Sequence, residues 1–157
     1  MAKQKLPFYE IPLLHSGFFV FVGPNQRVKD FLEPRLRIDC FEDTCDDLDA
    51  CGGMHISFTS PEGLQNLVWV PDVEDEYVVF HEALHCSFSI LSRLGIPADP
   101  GSQEAIAYLQ EEVVKGIRQV GSTFVYKDVA PSSRYGGVAH GEGVIKHINK
   151  IARRKSL

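Results

Sequence analysis

The segment YVVFHEALHCSFSILSRL occupies residues 77–94. It contains neither Pro nor Gly, and Phe80, Leu84, Phe88 and Leu91 recur at i, i+4, i+8 and i+11. That spacing predicts one helix from about Tyr77 to Leu94 with those four side chains as its buried stripe. Asp75 or Glu76 begins it, where the N-terminal dipole favours negative charge, and Gly95 and Pro97 end it. Inside it lies His81-Glu82-Ala83-Leu84-His85, the pattern H-E-x-x-H. Residues four apart on an α-helix sit about 40° apart in azimuth, so His81 and His85 leave one face with imidazoles that can converge on one ion. Glu82 stands about 100° round from His81. It is placed to reach a metal-bound water as general base without being a ligand itself.

A tetrahedral catalytic Zn²⁺ takes three protein ligands and leaves the fourth position to water. The third is sought downstream. Asp99-Pro100-Gly101-Ser102 is a turn and cap signal, and Gln103 to Val120 places Ile106, Leu109, Val113 and Ile117 on one side of a second helix. The connection is short enough for an antiparallel helix hairpin, which makes Glu104 the candidate third ligand. Tyr108, one turn on, is the candidate donor to Glu104 or to a tetrahedral intermediate, and Glu111 follows on the same face. His140 and His147 are alternative third ligands.

Working outward, Gly17–Val22 reads as a buried strand closed by Gly23-Pro24-Asn25. Arg27 to Leu36 reads as a short helix with Val28, Phe31 and Leu32 at helical spacing and Pro34 limiting its reach. The acidic, cysteine-bearing stretch from Asp39 to Gly53 shows no periodicity and is expected to be a loop. His55–Thr59 and Leu64–Pro71 flank a turn of hairpin composition and predict an antiparallel pair. Past Gly121 periodicity fades: a short strand is expected at Thr123–Tyr126, a loop from Pro131 to Gly143, and a basic helix or frayed tail at Val144–Lys155. Cys40-x4-Cys45-x5-Cys51-x3-His55 has metal-ligand residue types, but the spacing of no standard zinc ribbon. Cys86 is expected in the core.

At 157 residues the chain is read as one domain, 1–145 with its core in 17–120, followed by a basic C-terminal tail, 146–157. A formal charge of −5 argues against a nucleic-acid or anionic-membrane binder, because both need a basic field. No apolar stretch approaches the roughly 18 residues of a membrane span. Pro7, Glu10, Pro12 and His15 interrupt any signal-peptide run, so a cytoplasmic protein with reduced thiols is expected.

HEALHCSFSILSRLGI followed by SQEAIAYLQEEV resembles the two active-site helices of zincin metallopeptidases of the Glu-ligand, or gluzincin, type. Together with FFVFVG, the short helix and the hairpin ending in VWV, residues 17–120 are similar to small zincin-like proteins encoded by bacteriophages. The resemblance implies an α+β fold, a minimal zincin-like single domain with a small, mostly antiparallel sheet packed on the HExxH helix and a second Glu-bearing helix. It implies zinc on His81, His85 and Glu104, with Glu82 as base. The implied activity is that of a zinc metallohydrolase, a peptidase acting on a protein or peptide, in the host cytoplasm or in a phage particle, with a phage or host protein as partner. Its alternative is a non-catalytic zincin-fold phage structural or assembly protein with structural zinc. Phe88 and Leu91 stand where the metzincin pattern has Gly and His, which excludes that branch. Tyr108 stands where thermolysin-like enzymes carry Asp.

Overall fold

The most apolar stretches of the chain, SGFFVFV and LVWV, become the two central strands of a sheet buried on both faces. A computed structural model describes residues 6–123. Its elements are β1 (Phe8–Ile11), β2 (Ser16–Val22), α1 (Gln26–Leu32), α2 (Ile38–Ala50), β3 (Met54–Ser60), β4 (Gly63–Val70), α3 (Glu76–Arg93) and α4 (Gln103–Thr123), with a 3-10 turn at Pro100–Ser102 before α4. The strand order is β1-β2-β4-β3. β1 pairs antiparallel with β2 and β3 antiparallel with β4, while β2 and β4 run parallel. The α+β class holds, and the mostly antiparallel sheet is a mixed one.

Alternation along β2 and β4 sends side chains to two cores. Phe18, Val20, Val68 and Val70 join residues of α3 and α4 in one core. Leu67 and Trp69, with Phe19 and Phe21 packed alongside, join Val28, Phe31, Leu32 and Leu48 from α1 and α2 in the other. The sheet is therefore a middle layer with two helices on each side. α4 lies so close to it that a Cβ on Gly116 would stand 2.6 Å from Tyr9 Cγ and 2.7 Å from Phe18 Cζ. On the opposite layer, Lys29 Nζ pairs with Asp49 Oδ1 at 2.6 Å and Asn25 Nδ2 donates to the Leu48 carbonyl at 3.0 Å, tying α1 to α2.

Two expectations are corrected, and one strand, β1, had not been foreseen. The acidic stretch expected as a loop is largely α2: one apolar line, Phe41 and the fully buried Leu48, is enough to dock a helix whose other faces are acidic and solvated. β1 gave no sequence signal because it is short and sits at the sheet edge. The stripe of α3 is rotated. Of the four expected stripe residues Leu91 is buried and Leu84 half-buried, but Phe80 and Phe88 are 44 % and 39 % exposed, and the helix buries Val79, Ala83, Cys86 and Ile90 with Leu91 against the sheet. The physical reason is size: small side chains let α3 approach the strands closely, leaving the aromatic rings to the outer side. Of the strand expected at Thr123–Tyr126, Thr123 ends α4 instead; residues 124–126, the stretch expected as a loop from Pro131 to Gly143, His140, His147 and the basic tail lie outside the described residues. Among the described residues, no helix is long and apolar enough to cross a membrane.

Candidate metal centre

α3 starts where β4 ends. The Asp75 carboxylate accepts from the Val78 backbone N–H at 3.2 Å, capping the first turn, and Glu76 adds a favourable charge there. Two turns into this helix, His81 Nε2 and His85 Nε2 stand 3.3 Å apart, with ring centroids at 4.9 Å and planes at 76°. Both rings are half-buried. Zn–N bonds of 2.0–2.1 Å at the tetrahedral angle require an N···N edge of about 3.3–3.4 Å. In this structure the contact is a hydrogen bond between the two imidazoles, and its length is also compatible with two ligands on one tetrahedral ion.

Glu82, the next residue along the helix, packs toward the outer strand β3. It is 7 % exposed. Burial pushes its carboxyl up to about 7, against the opposing effect of the His55 backbone N–H, which donates to it. Gly53 makes room for it. A Cβ there would collide with Val78 Cγ1 and stand 3.3 Å from Glu82 Cγ. Cys51 lies on the same side, and burial, with the Glu82 carboxylate adding to it, pushes its thiol up to about 11. A thiol so raised is neither a good nucleophile nor a ready ligand.

Seven residues after Glu82, and so on the same line of the helix, Ser89 Oγ donates to Asn66 Oδ1 at 2.7 Å and lies 2.9 Å from Ser57 Oγ. His55 Nε2 and Ser57 Oγ reach the same Asn66 oxygen at 2.9 Å each. Asn66 is fully buried, and its Nδ2 has no hydrogen-bond partner among the described residues. α3 is thereby fastened to the β3–β4 hairpin at two points, the Glu82 carboxylate and the Ser89 hydroxyl. Sequence reasoning passed over this network. The signal was Asn66 itself, a poor strand former inside an otherwise apolar strand.

The remaining predicted residues are on α4. Gln110 Nε2 donates to the Phe80 carbonyl at 3.5 Å and Arg118 Nη2 to Glu76 Oε1 at 3.1 Å, so the two helices are antiparallel as expected. Glu104 is exposed in the first turn of α4. Six residues before Gln110, it lies toward the C-terminal half of α3. Tyr108 is half-buried and packs on the core shared with α3. Glu111 lines an open groove of about 590 Å³ with Phe80, Val114, Lys115, Arg118 and Gln119. The structure brings His81 and His85 together; among the described residues, it assembles no group of three or more His, Cys, Asp or Glu that could hold a metal ion. That statement covers the Glu104 set and the Cys40, Cys45, Cys51 and His55 set alike. Cys86 is fully buried, as expected, and burial raises its thiol.

No protein-family profile, curated protein or solved structure matches the chain.

Proposed function

We propose that this protein is a zinc-dependent hydrolase of peptide bonds in which His81 and His85 hold the ion and Glu82 is the general base. The observation that carries the reading is the 3.3 Å between the two Nε2 atoms, with a buried carboxyl at the intervening position of the same helix. Two of four tetrahedral positions fit the residues present. The third would come from Glu104 in the first turn of the neighbouring helix, a residue the described structure does not bring together with the pair, with Tyr108 one turn on to orient it. When bound, zinc supplies a Lewis acid and lowers the pKa of a water to near neutrality.

The protein's own groups do the rest. Glu82 takes a proton and returns it to the leaving amine, and a carboxyl raised to about 7 is suited to both tasks near neutral pH. The His55 N–H fixes the carboxylate against rotation. β3 is the outer strand on this side, so an extended peptide aligned with its edge would bring a carbonyl beside Glu82. The resemblance to phage zincin-like proteins makes a phage or host protein the expected substrate.

The test uses zinc-loaded protein and a library of quenched fluorescent peptides. Glu82→Gln is expected to keep its zinc and lose hydrolysis by about 100-fold or more. Equal hydrolysis by both proteins would remove Glu82 from the mechanism. Stoichiometric zinc without hydrolysis by either would replace this reading with a structural zinc site.

A further inference from the structure

Four residues meet where α3 packs on the β3–β4 hairpin: Ser89 of α3, Asn66 of β4, and His55 and Ser57 of β3. Ser89 Oγ donates to Asn66 Oδ1 at 2.7 Å, Ser57 Oγ donates to it at 2.9 Å, and His55 Nε2 stands 2.9 Å from the same atom. An amide oxygen only accepts, so the imidazole nitrogen facing it carries a proton. Three donors from two elements therefore converge on one oxygen. The nitrogen of the same amide has no such role: Nδ2 is buried and has no partner among the described residues. An unpaired buried donor costs stability, so what the amide contributes here is its oxygen.

His55 has a second attachment. While its ring meets Asn66, its backbone N–H donates to the Glu82 carboxylate. The contacts close a circuit that leaves α3 at Ser89, crosses β4 at Asn66 and β3 at His55, and returns to α3 at Glu82. Glu82 and Ser89 stand about 10 Å apart along the helix axis, so the circuit grips α3 at two separate turns. Gly53, two residues before His55, leaves room for the carboxylate, since a Cβ there would stand 3.3 Å from Glu82 Cγ. Hydrogen bonds weaken steeply once distance or angle drifts. What fixes His55 therefore decides how well its N–H serves Glu82.

We propose that Asn66 is the positioning residue of Glu82: its side-chain oxygen locks the His55 ring to Ser89 and so holds the His55 N–H on the Glu82 carboxylate. The carboxylate so held is the one read above as general base, and only the kinetic consequence rests on that reading. There, loosening the circuit lowers turnover without weakening substrate binding, because the base and not the substrate is displaced.

The experiment is NMR of the isotope-labelled full chain in chelator, for the parent, Asn66→Leu, Ser89→Ala and Ser89→Thr. In the parent, the His55 ring is expected to carry a proton on Nε2. In Asn66→Leu the His55 amide is expected to exchange with solvent about tenfold faster relative to the amides of β2, as for loss of a charge-assisted hydrogen bond. The β2 amides report unfolding of the domain as a whole. Ser89→Ala should move the ratio in the same direction, and Ser89→Thr, which keeps the hydroxyl, should restore it. If Asn66→Leu does not fold, the two Ser89 variants decide. An unchanged ratio would overturn the proposal, since the network would then be general packing. So would a His55 ring protonated only on Nδ1, because the amide would then face it with its nitrogen. In zinc-loaded protein, Ser89→Ala is expected to lower kcat on the quenched peptides with KM unchanged, and a rise in KM alone would refute the positioning role. Absence of hydrolysis by every protein would remove the hydrolase reading, and the exchange ratio would still decide for or against Asn66.

Discussion

Replacing Glu82 by Gln is expected to stabilise the metal-free protein at neutral and alkaline pH while disabling the proposed base. The side chain is 7 % exposed, and burial raises its carboxyl from 4.5 to about 7. A folded state that holds its proton to higher pH gains stability below the unfolded-state pKa and loses it as pH rises through the folded-state value. The window is therefore pH 4.5 to 7, with stability falling as pH rises. At about 1.4 kcal/mol per pH unit, the full loss is about 3 kcal/mol. Gln has the same shape, its carboxamide oxygen can accept from the His55 N–H, and it does not titrate. Between pH 4.5 and 8 the gap between variant and parent should widen in favour of Glu82→Gln by about 3 kcal/mol, or about 10 °C in Tm for a domain of this size. The assay is thermal or urea unfolding of both proteins in chelator across that range. Other carboxylates titrate equally in both, so the difference isolates position 82. Parallel profiles, or a variant that weakens relative to the parent as pH rises, would refute the burial argument.

The other predictions concern the ligands and the packing. His81→Ala and His85→Ala should each lower zinc affinity by more than about 100-fold in chelator competition, beyond the range of an outer-shell change. Glu104→Ala should also weaken zinc binding; unchanged affinity would show that the third donor is another group. Gly116→Ala should destabilise by about 1–2 kcal/mol in urea unfolding, because overpacking against Tyr9 and Phe18 exceeds the roughly 1 kcal/mol gain in helix propensity. Ser89→Ala, which removes one donor to Asn66, should cost about 1 kcal/mol, whereas Ser89→Thr, which keeps the hydroxyl, should cost less.

The two long helices and the hairpin were legible because each carries its own local signal: the Asp75 and Asp99 caps, the Gly95 terminus, and turn residues between β-formers. What stayed hidden depended on distant partners. The periodicity of α3 specifies a helix but not which way it faces, because Phe80, Leu84 and Phe88 form as good a stripe as Val79, Ala83, Cys86 and Ile90. The sheet chose the smaller set. α2 was hidden by its charges, since composition reported six acidic residues where one line of apolar contact to α1 and the sheet decides the matter. The His81–His85 pairing follows from helix geometry alone and so was readable. The position of Glu104 relative to that pair depends on how two helices cross, which no spacing within either helix encodes.

The contact between α3 and the β3–β4 hairpin holds two groups that each cost stability where they stand. Glu82 is a carboxyl driven toward protonation by burial, and Asn66 is a buried amide of β4 whose Nδ2 has no partner among the described residues. Each costs stability, on the order of 1–3 kcal/mol. Both belong to the two-point attachment that fixes α3 against β3, and that attachment sets where His81 and His85 stand relative to the strand edge. Glu82 lies between His81 and His85 in sequence, so the contact that holds its carboxylate also bears on where the two imidazoles stand. Gly53 fits the same logic, because any side chain there would push β3 away from the carboxylate.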